Sequence, residues 1–198
     1  MRAFSLVLLC LALPLASVQA ASQTLSTEAS RYVETVGADA IEILSSSHGL
    51  ERERDERLRM LLGDAFALPV MCRSVIGPDW NSASDWEQRA FCDVFADYLL
   101  TYVIGVLEDE APRGIEVTAV HATKGADFRV TTAVERPGEE PTEMDWIIQN
   151  RDGAFHVVDV IVSQVSLIST YRSEFSGLAR RQGMEALTAA LERKVAGR

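Results

Sequence analysis

The chain has 198 residues, a formal net charge of −10 at pH 7, and a hydrophobic content of 47%, enough apolar material for a sizeable core. That length suits one domain. An acidic chain repels nucleic-acid phosphates and anionic membrane surfaces alike, so composition argues against nucleic acid as a partner.

Residues 1–20 read as an export signal peptide, with residues 21–198 as a single domain. Arg2 is a basic start, and Ala3 to Ala16 is an apolar run too short to span a bilayer. Val18-Gln19-Ala20 is a small-residue cleavage site. The alternative is a membrane anchor. Cys10 follows Leu9, and lipoprotein processing needs a small residue there, so a lipid anchor is not expected. An exported soluble protein follows, in a compartment that permits disulfides. The remaining Cys72 and Cys92 sit in no C-x-x-C or His-rich setting, so metal binding is not expected. Pairing and two buried free thiols both stay open.

Residues 25–107 read as helical. Val33, Val36, Ala40, Ile43 and Leu44 line one face of a first helix, which Ser45 to Gly49 breaks. Glu51 to Arg59, ERERDERLR, leads into Leu58, Leu61 and Leu62 and reads as a solvated helix face rather than a partner patch. A short helix follows from Pro69 to Ile76, with Pro at its start and Gly77 at its end, as helix termini prefer. Phe66, Val70, Val75 and Ile76 should be buried. After Trp80, Ser84 and Glu87 form a capping box that starts a helix running to about Leu107. Phe91, Phe95, Tyr98 and Tyr102 share one face, while Cys92, Leu99, Val103 and Val106 share another. An apolar arc this wide means cover on more than one side, by core, by a pocket, or by both.

Residues 114–162 read as a sheet. Ile115, Val117 and Ala119 alternate with polar neighbours, as do Phe128, Val130, Thr132 and Val134, and then Met144, Trp146 and Ile148. Ala154 to Val162 makes a fourth strand, apolar at nearly every position. Turn chemistry at Lys124-Gly125, Arg136-Pro137-Gly138 and Asn150-Arg151-Asp152-Gly153 separates the strands, and links this short favour an antiparallel meander. Leu167, Ile168, Tyr171, Phe175 and Leu178 then recur at helical spacing, opening C-terminal helices over 164–196. No P-loop, G-x-G-x-x-G or G-x-S-x-G is present.

Asp159 is the one residue to weigh for catalysis. By strand parity it shares a face with Phe155, Val157 and Ile161, with His156 opposite, so an Asp–His pair within the strand is not expected. A carboxylate there can act as a general base in a cone of helices and curved sheet. The structural alternative, which we favour, is a bond to backbone amides or to Arg172.

Two blocks carry a resemblance to the MlaC family, periplasmic phospholipid-binding proteins also described as toluene-tolerance auxiliary transport components. The first is VVDVIVSQVSLISTYRSEF, followed by GMEALTAAL from Gly183 to Leu191. The second carries Phe66, Ile76, Gly77, Trp80, Gln88, Arg89, Phe91, Phe95 and Tyr102 in family order. Gln164 stands where the family pattern has Gly. The resemblance implies an α+β fold: helices on a strongly curved antiparallel four-stranded sheet, nuclear-transport-factor-like, with an apolar lipid pocket between helices and sheet. It also implies a monomeric phospholipid carrier without a cofactor or catalysis, its phospholipid being cargo. That carrier would shuttle lipid between outer and inner membranes to maintain outer-membrane asymmetry. Its implied partners are an outer-membrane lipoprotein–porin complex and an inner-membrane ABC transporter with a lipid-domain ring.

Hydrocarbon burial is worth about 0.8 kcal/mol per CH₂, so exposing two chains of roughly fifteen methylenes would cost on the order of 24 kcal/mol. A carrier must therefore enclose them, while the headgroup can stay in solvent and be of any type. The expected lipid-binding residues are Phe95, Leu99 and Val103 from the long helix, Val158, Val160 and Val162 from the last strand, and Leu167, Ile168 and Tyr171 from the helix after it. Phe91 and Trp146 stand at the margin of the set. The rival readings are a carrier of a hopanoid or sterol, a cone-shaped enzyme using Asp159, and an exported adaptor without a ligand.

Overall fold

The computed structural model describes residues 15–46, 51–123, 127–151 and 153–197. Most of the expected export signal, Cys10, the Lys124-Gly125 turn, Asp152 and most of the expected break at Ser45 to Gly49 lie outside the described residues. Four helices come first: α1 (Leu15–Ser46), α2 (Glu51–Ala65), α3 (Leu68–Ile76) and α4 (Asp85–Glu110). Five strands follow: β1 (Gly114–Ala122), β2 (Asp127–Glu135), β3 (Thr142–Arg151), β4 (Ala154–Val162) and β5 (Val165–Ser166). Helices α5 (Leu167–Gln182) and α6 (Met184–Ala196) close the chain.

The helix boundaries follow local chemistry. Pro69 sits in the first turn of α3, where a missing N–H costs nothing, and Gly77 ends the helix at φ 71°. The capping box of α4 is formed: the Ser84 N–H donates to Glu87 Oε2 at 2.8 Å, and the Glu87 N–H donates to Ser84 Oγ at 3.3 Å. The charged face of α2 is not wholly solvated. Arg59 donates to Asp97 at 2.6 Å and to Thr101 at 3.0 Å, and Arg54 pairs with Glu108, so two of its arginines tie α2 to α4. Cys72 of α3 and Cys92 of α4 are joined in a disulfide, with Cα atoms 5.5 Å apart. Of the four residues expected to be buried around α3, Val70 is only half-buried, and Met71 and Cys72 take its place.

The fold is α+β, and the strands form an antiparallel meander in the order β1-β2-β3-β4-β5. The sheet has five strands rather than four, because the two-residue β5 folds back on Ile161 and Val162. It is curled and open. Two bulges help bend it, since an extra residue on one strand kinks the ladder and raises its twist. In β1, Val117 pairs with Thr132 and Ala119 with Thr131, leaving Thr118 as the extra residue. In β4, Val157 pairs with Ile148 and Asp159 with Ile147, leaving Val158 as the extra residue. Upstream of β5 the edge of β4 is covered by the α2–α3 link, where the Ala67 N–H donates to Val157 O at 2.9 Å.

Each bulge reverses the strand's alternation, and this corrects the parity reading at both places. In β1 the inward residues are Ile115, Val117 and Val120, not Ala119; Val120 pairs with fully buried Val130. In β4 the inward residues are Phe155 and Val157 before the bulge, then Val160 and Val162 after it. Asp159 and Ile161 are turned to the outer side, together with His156.

Helices α3, α4, α5 and α6 pack against one another around a buried aromatic group. Phe91, Phe95 and Leu99 are fully buried there. Phe95 meets Tyr171 and Phe175 edge-on, with ring centroids 5.9 and 6.4 Å apart. On the sheet, buried Thr132 donates to Met144 O at 3.1 Å and accepts from Trp146 Nε1 at 3.0 Å, which satisfies the indole and fixes its ring.

Candidate functional site

Between the inner face of the sheet and helices α1, α4 and α5 the packing stops. A cavity of about 510 Å³ remains. Its walls are almost wholly apolar. Helix α1 supplies Val36, Gly37, Ala40 and Ile41, and α2 with its exit supplies Leu62 and Phe66. The second half of α4 supplies Tyr98, Tyr102, Val103, Val106 and Leu107. Pro112 and the sheet residues Ile115, Val134, Met144, Trp146, Val160, Val162 and Val165 form the opposite wall. Leu167, Thr170, Tyr171 and Glu174 of α5 close one side.

Ordinary cores leave few voids larger than a water molecule. A space this large and this apolar falls in the range of small-molecule pockets, roughly 300–1,000 Å³. Its mouth is marked by apolar side chains left in solvent: Val165 is 60% exposed, Val106 39%, Tyr102 38% and Val162 37%. Gly37 has a local role in the wall. A Cβ there would stand 2.6 Å from Ile115 Cδ1, so only glycine lets α1 lie this close to β1.

The polar groups of the cavity come from α4 and α5: Tyr98 and Tyr102 from the first, Thr170, Tyr171 and Glu174 from the second. The Tyr171 and Tyr98 rings meet edge-on, with centroids 5.6 Å apart. Burial, and then the neighbouring Tyr98, Tyr102 and Glu174, push the Tyr171 phenol well above its usual range, so it stays protonated as a neutral group. Beside them Lys194 of α6 donates to Glu174 Oε1 at 2.5 Å.

Six of the eleven expected lipid-binding residues line this cavity: Val103, Trp146, Val160, Val162, Leu167 and Tyr171. Five do not. Phe91, Phe95 and Leu99 are fully buried in the packed end of α4, and Ile168 is buried on the core side of α5. Val158 is the bulge residue of β4 and is carried off the lining face. Sequence reasoning missed the contribution of α1, although Val36 and Ala40 belong to its apolar stripe. It also missed Tyr102 and Val106 as lining residues, which lie one and two turns along from Tyr98.

Asp159 does not line the cavity. Its Oδ1 accepts from the Val160 N–H at 2.9 Å and the Ile168 N–H at 3.0 Å, and its Oδ2 accepts from Ser166 Oγ at 2.6 Å. The carboxylate thus pins β4 to the N-terminus of α5, where a helix favours negative charge. Backbone amides are its partners, as the structural alternative had it. Arg172 is not one of them, because its Nε donates to Ser74 O at 2.7 Å.

The family model described as MlaC protein matches residues 34–193. The chain belongs to the MlaC family. No curated protein sequence matches it. Among solved structures, it is similar to the phospholipid-binding protein from Ralstonia solanacearum in complex with a phospholipid. The two share 21% identity with a TM-score of 0.69, over 85% of this chain and 97% of that one. At that identity the likeness speaks for the fold.

One turn beside the cavity has an unusual backbone. At the β4–β5 turn, Ser163 has φ 49° and Gln164 φ 68°. Both lie in the left-handed region, which favours glycine, the residue the resemblance led us to expect at Gln164. Here the turn is made without one, beside the cavity mouth that Val162 and Val165 border.

Proposed function

We propose that this protein is a periplasmic carrier that holds the acyl chains of a phospholipid in the cavity and moves the lipid between outer and inner membranes, maintaining the asymmetry of the outer one. The observation that carries this reading is the cavity: about 510 Å³ of apolar space with an apolar mouth, in a chain that is otherwise acidic and water-compatible. Water gains nothing in such a space, whereas each methylene moved into it gains about 0.8 kcal/mol. The MlaC family match supports it, as does the phospholipid bound by the Ralstonia protein of the same fold. The cycle requires delivery and removal at two membranes. The partners proposed are an outer-membrane lipoprotein–porin complex and an inner-membrane ABC transporter with a lipid-domain ring. Export by the N-terminal signal peptide would place the chain between them, as a monomer that asks no reaction of Asp159.

Native mass spectrometry of protein purified from its own cell envelope without detergent tests the reading. The expected result is a near one-to-one complex with a two-chain phospholipid, identified after extraction. A sterol or hopanoid in its place would keep the carrier and change the cargo. Stoichiometric absence of lipid would sink the carrier reading.

A further inference from the structure

The mouth of the cavity is not uniformly apolar. On the α5 side its rim is polar and carries a matched pair of charges. Glu174 lines the cavity, and Lys194 Nζ lies 2.5 Å from its Oε1. Both side chains are about half exposed, at 46% and 49%, so solvent and a bound headgroup can reach them. The ammonium is positioned as well as paired. It stands 5.8 Å from the centre of the Tyr98 ring and 5.9 Å from that of Phe175, which hold it electrostatically over the aromatic cluster. Lys194 is one of only two lysines in the chain, against seventeen arginines. A lysine offers a compact point charge on a flexible stem, able to swing from one anion to another, where an arginine fork would favour fixed two-pronged contacts.

The geometry points to a headgroup subsite at this rim that selects phospholipids with a zwitterionic, ammonium-bearing headgroup over those with a net negative one. It rests on the carrier reading above. With acyl chains in the cavity, the phosphate and its substituent emerge at the mouth. Lys194 takes the phosphate, and Glu174, released from its lysine, takes the headgroup ammonium. Two opposite pairs then alternate around the rim, and each charge keeps a partner. An anionic headgroup satisfies Lys194 but leaves Glu174 facing negative charge, in a protein already at −10. The headgroup thus stays in solvent, as the sequence led us to expect, yet its type is read.

The test offers full-length delipidated protein to vesicles holding equal amounts of phosphatidylethanolamine and phosphatidylglycerol with identical acyl chains. Native mass spectrometry then counts the bound species. The ethanolamine lipid should exceed the glycerol lipid by roughly threefold, in keeping with what a half-exposed ion pair contributes. Glu174→Gln should bring the ratio to parity, and Glu174→Lys should invert it. The exchanged pair, Glu174→Lys with Lys194→Glu, should recover the ethanolamine preference. Glu56→Lys, the same charge change on the exposed face of α2, should leave the ratio unchanged. Melting temperatures of all four should stay close to that of the parent, since the pair is solvated. Parity in the parent protein, or an unaltered ratio in Glu174→Lys, overturns the headgroup inference alone. If the parent binds neither lipid, the carrier reading falls and this inference falls with it.

Discussion

The two halves of α4 have much the same composition and opposite fates. Near its start Phe91, Phe95 and Leu99 are fully buried among α3, α5 and α6, with the Cys72–Cys92 disulfide beside them. Two turns later Tyr102, Val103 and Val106 face a space that no protein side chain fills. A helix apolar on so many sides must be covered all round. The first half is covered by protein, and the second is covered by protein on one side only. The curled sheet stands off from it, and the same residue types that make a core there make a wall. Hydrophobicity is therefore uninformative about which half binds a ligand; what differs is the neighbour across the gap.

Substitutions should separate the halves. The largest effect is expected from Phe95→Ala. Truncating a fully buried phenylalanine costs about 3–5 kcal/mol and should lower the melting temperature by roughly 10 °C or more. Next, replacing both Cys72 and Cys92 with alanine removes a link across a 20-residue separation and should cost about 3 kcal/mol, while lipid still copurifies. Calorimetry on the oxidised and cysteine-free proteins reads this directly.

Leu99→Trp comes third. It forces bulk into filled space and should cost about 1–3 kcal/mol or more. Val160→Trp makes the complementary case. Its new ring enters the cavity, so the melting temperature should move by less than about 3 °C while lipid occupancy in native mass spectra collapses. If Val160→Trp lowers the melting temperature as much as Leu99→Trp does, the two halves are one core and the comparison breaks. The smallest effect is expected from Val158→Ala. The bulge residue has no partner across the ladder and lines nothing, so stability should shift by under about 1 kcal/mol and occupancy should hold.

The sequence was most legible where structure is local. The capping box at Ser84 and Glu87, the Pro69 start and Gly77 stop of α3, and the alternation of β2 and β3 each act within a few residues, and each formed as read. Asp159 was legible too, because a lone carboxylate in an apolar strand must find donors, and the nearest are backbone amides. The site was legible only in part. Val103, Val160 and Leu167 face the cavity, but Phe95, Leu99 and Ile168 have the same apolar signature and went to the core.

The sequence by itself determined which segments are helix or strand, β5 excepted, and that an apolar layer lies between them, because periodicity and capping are written in neighbouring residues. Tertiary structure decided three further things. It joined Cys72 to Cys92, a pairing that depends on how α3 lies against α4. It placed one extra residue at Thr118 and one at Val158, turning Val120 inward and Asp159 outward. A bulge costs little and carries no fixed signature, yet it reverses every side chain beyond it. And it left a cavity, whose walls come from α1, α2, α4, α5 and all five strands at once. An empty space belongs to no residue, so no stretch of sequence can specify it alone; it exists because the curl of the sheet holds β3 and β4 too far from α4 for their side chains to meet.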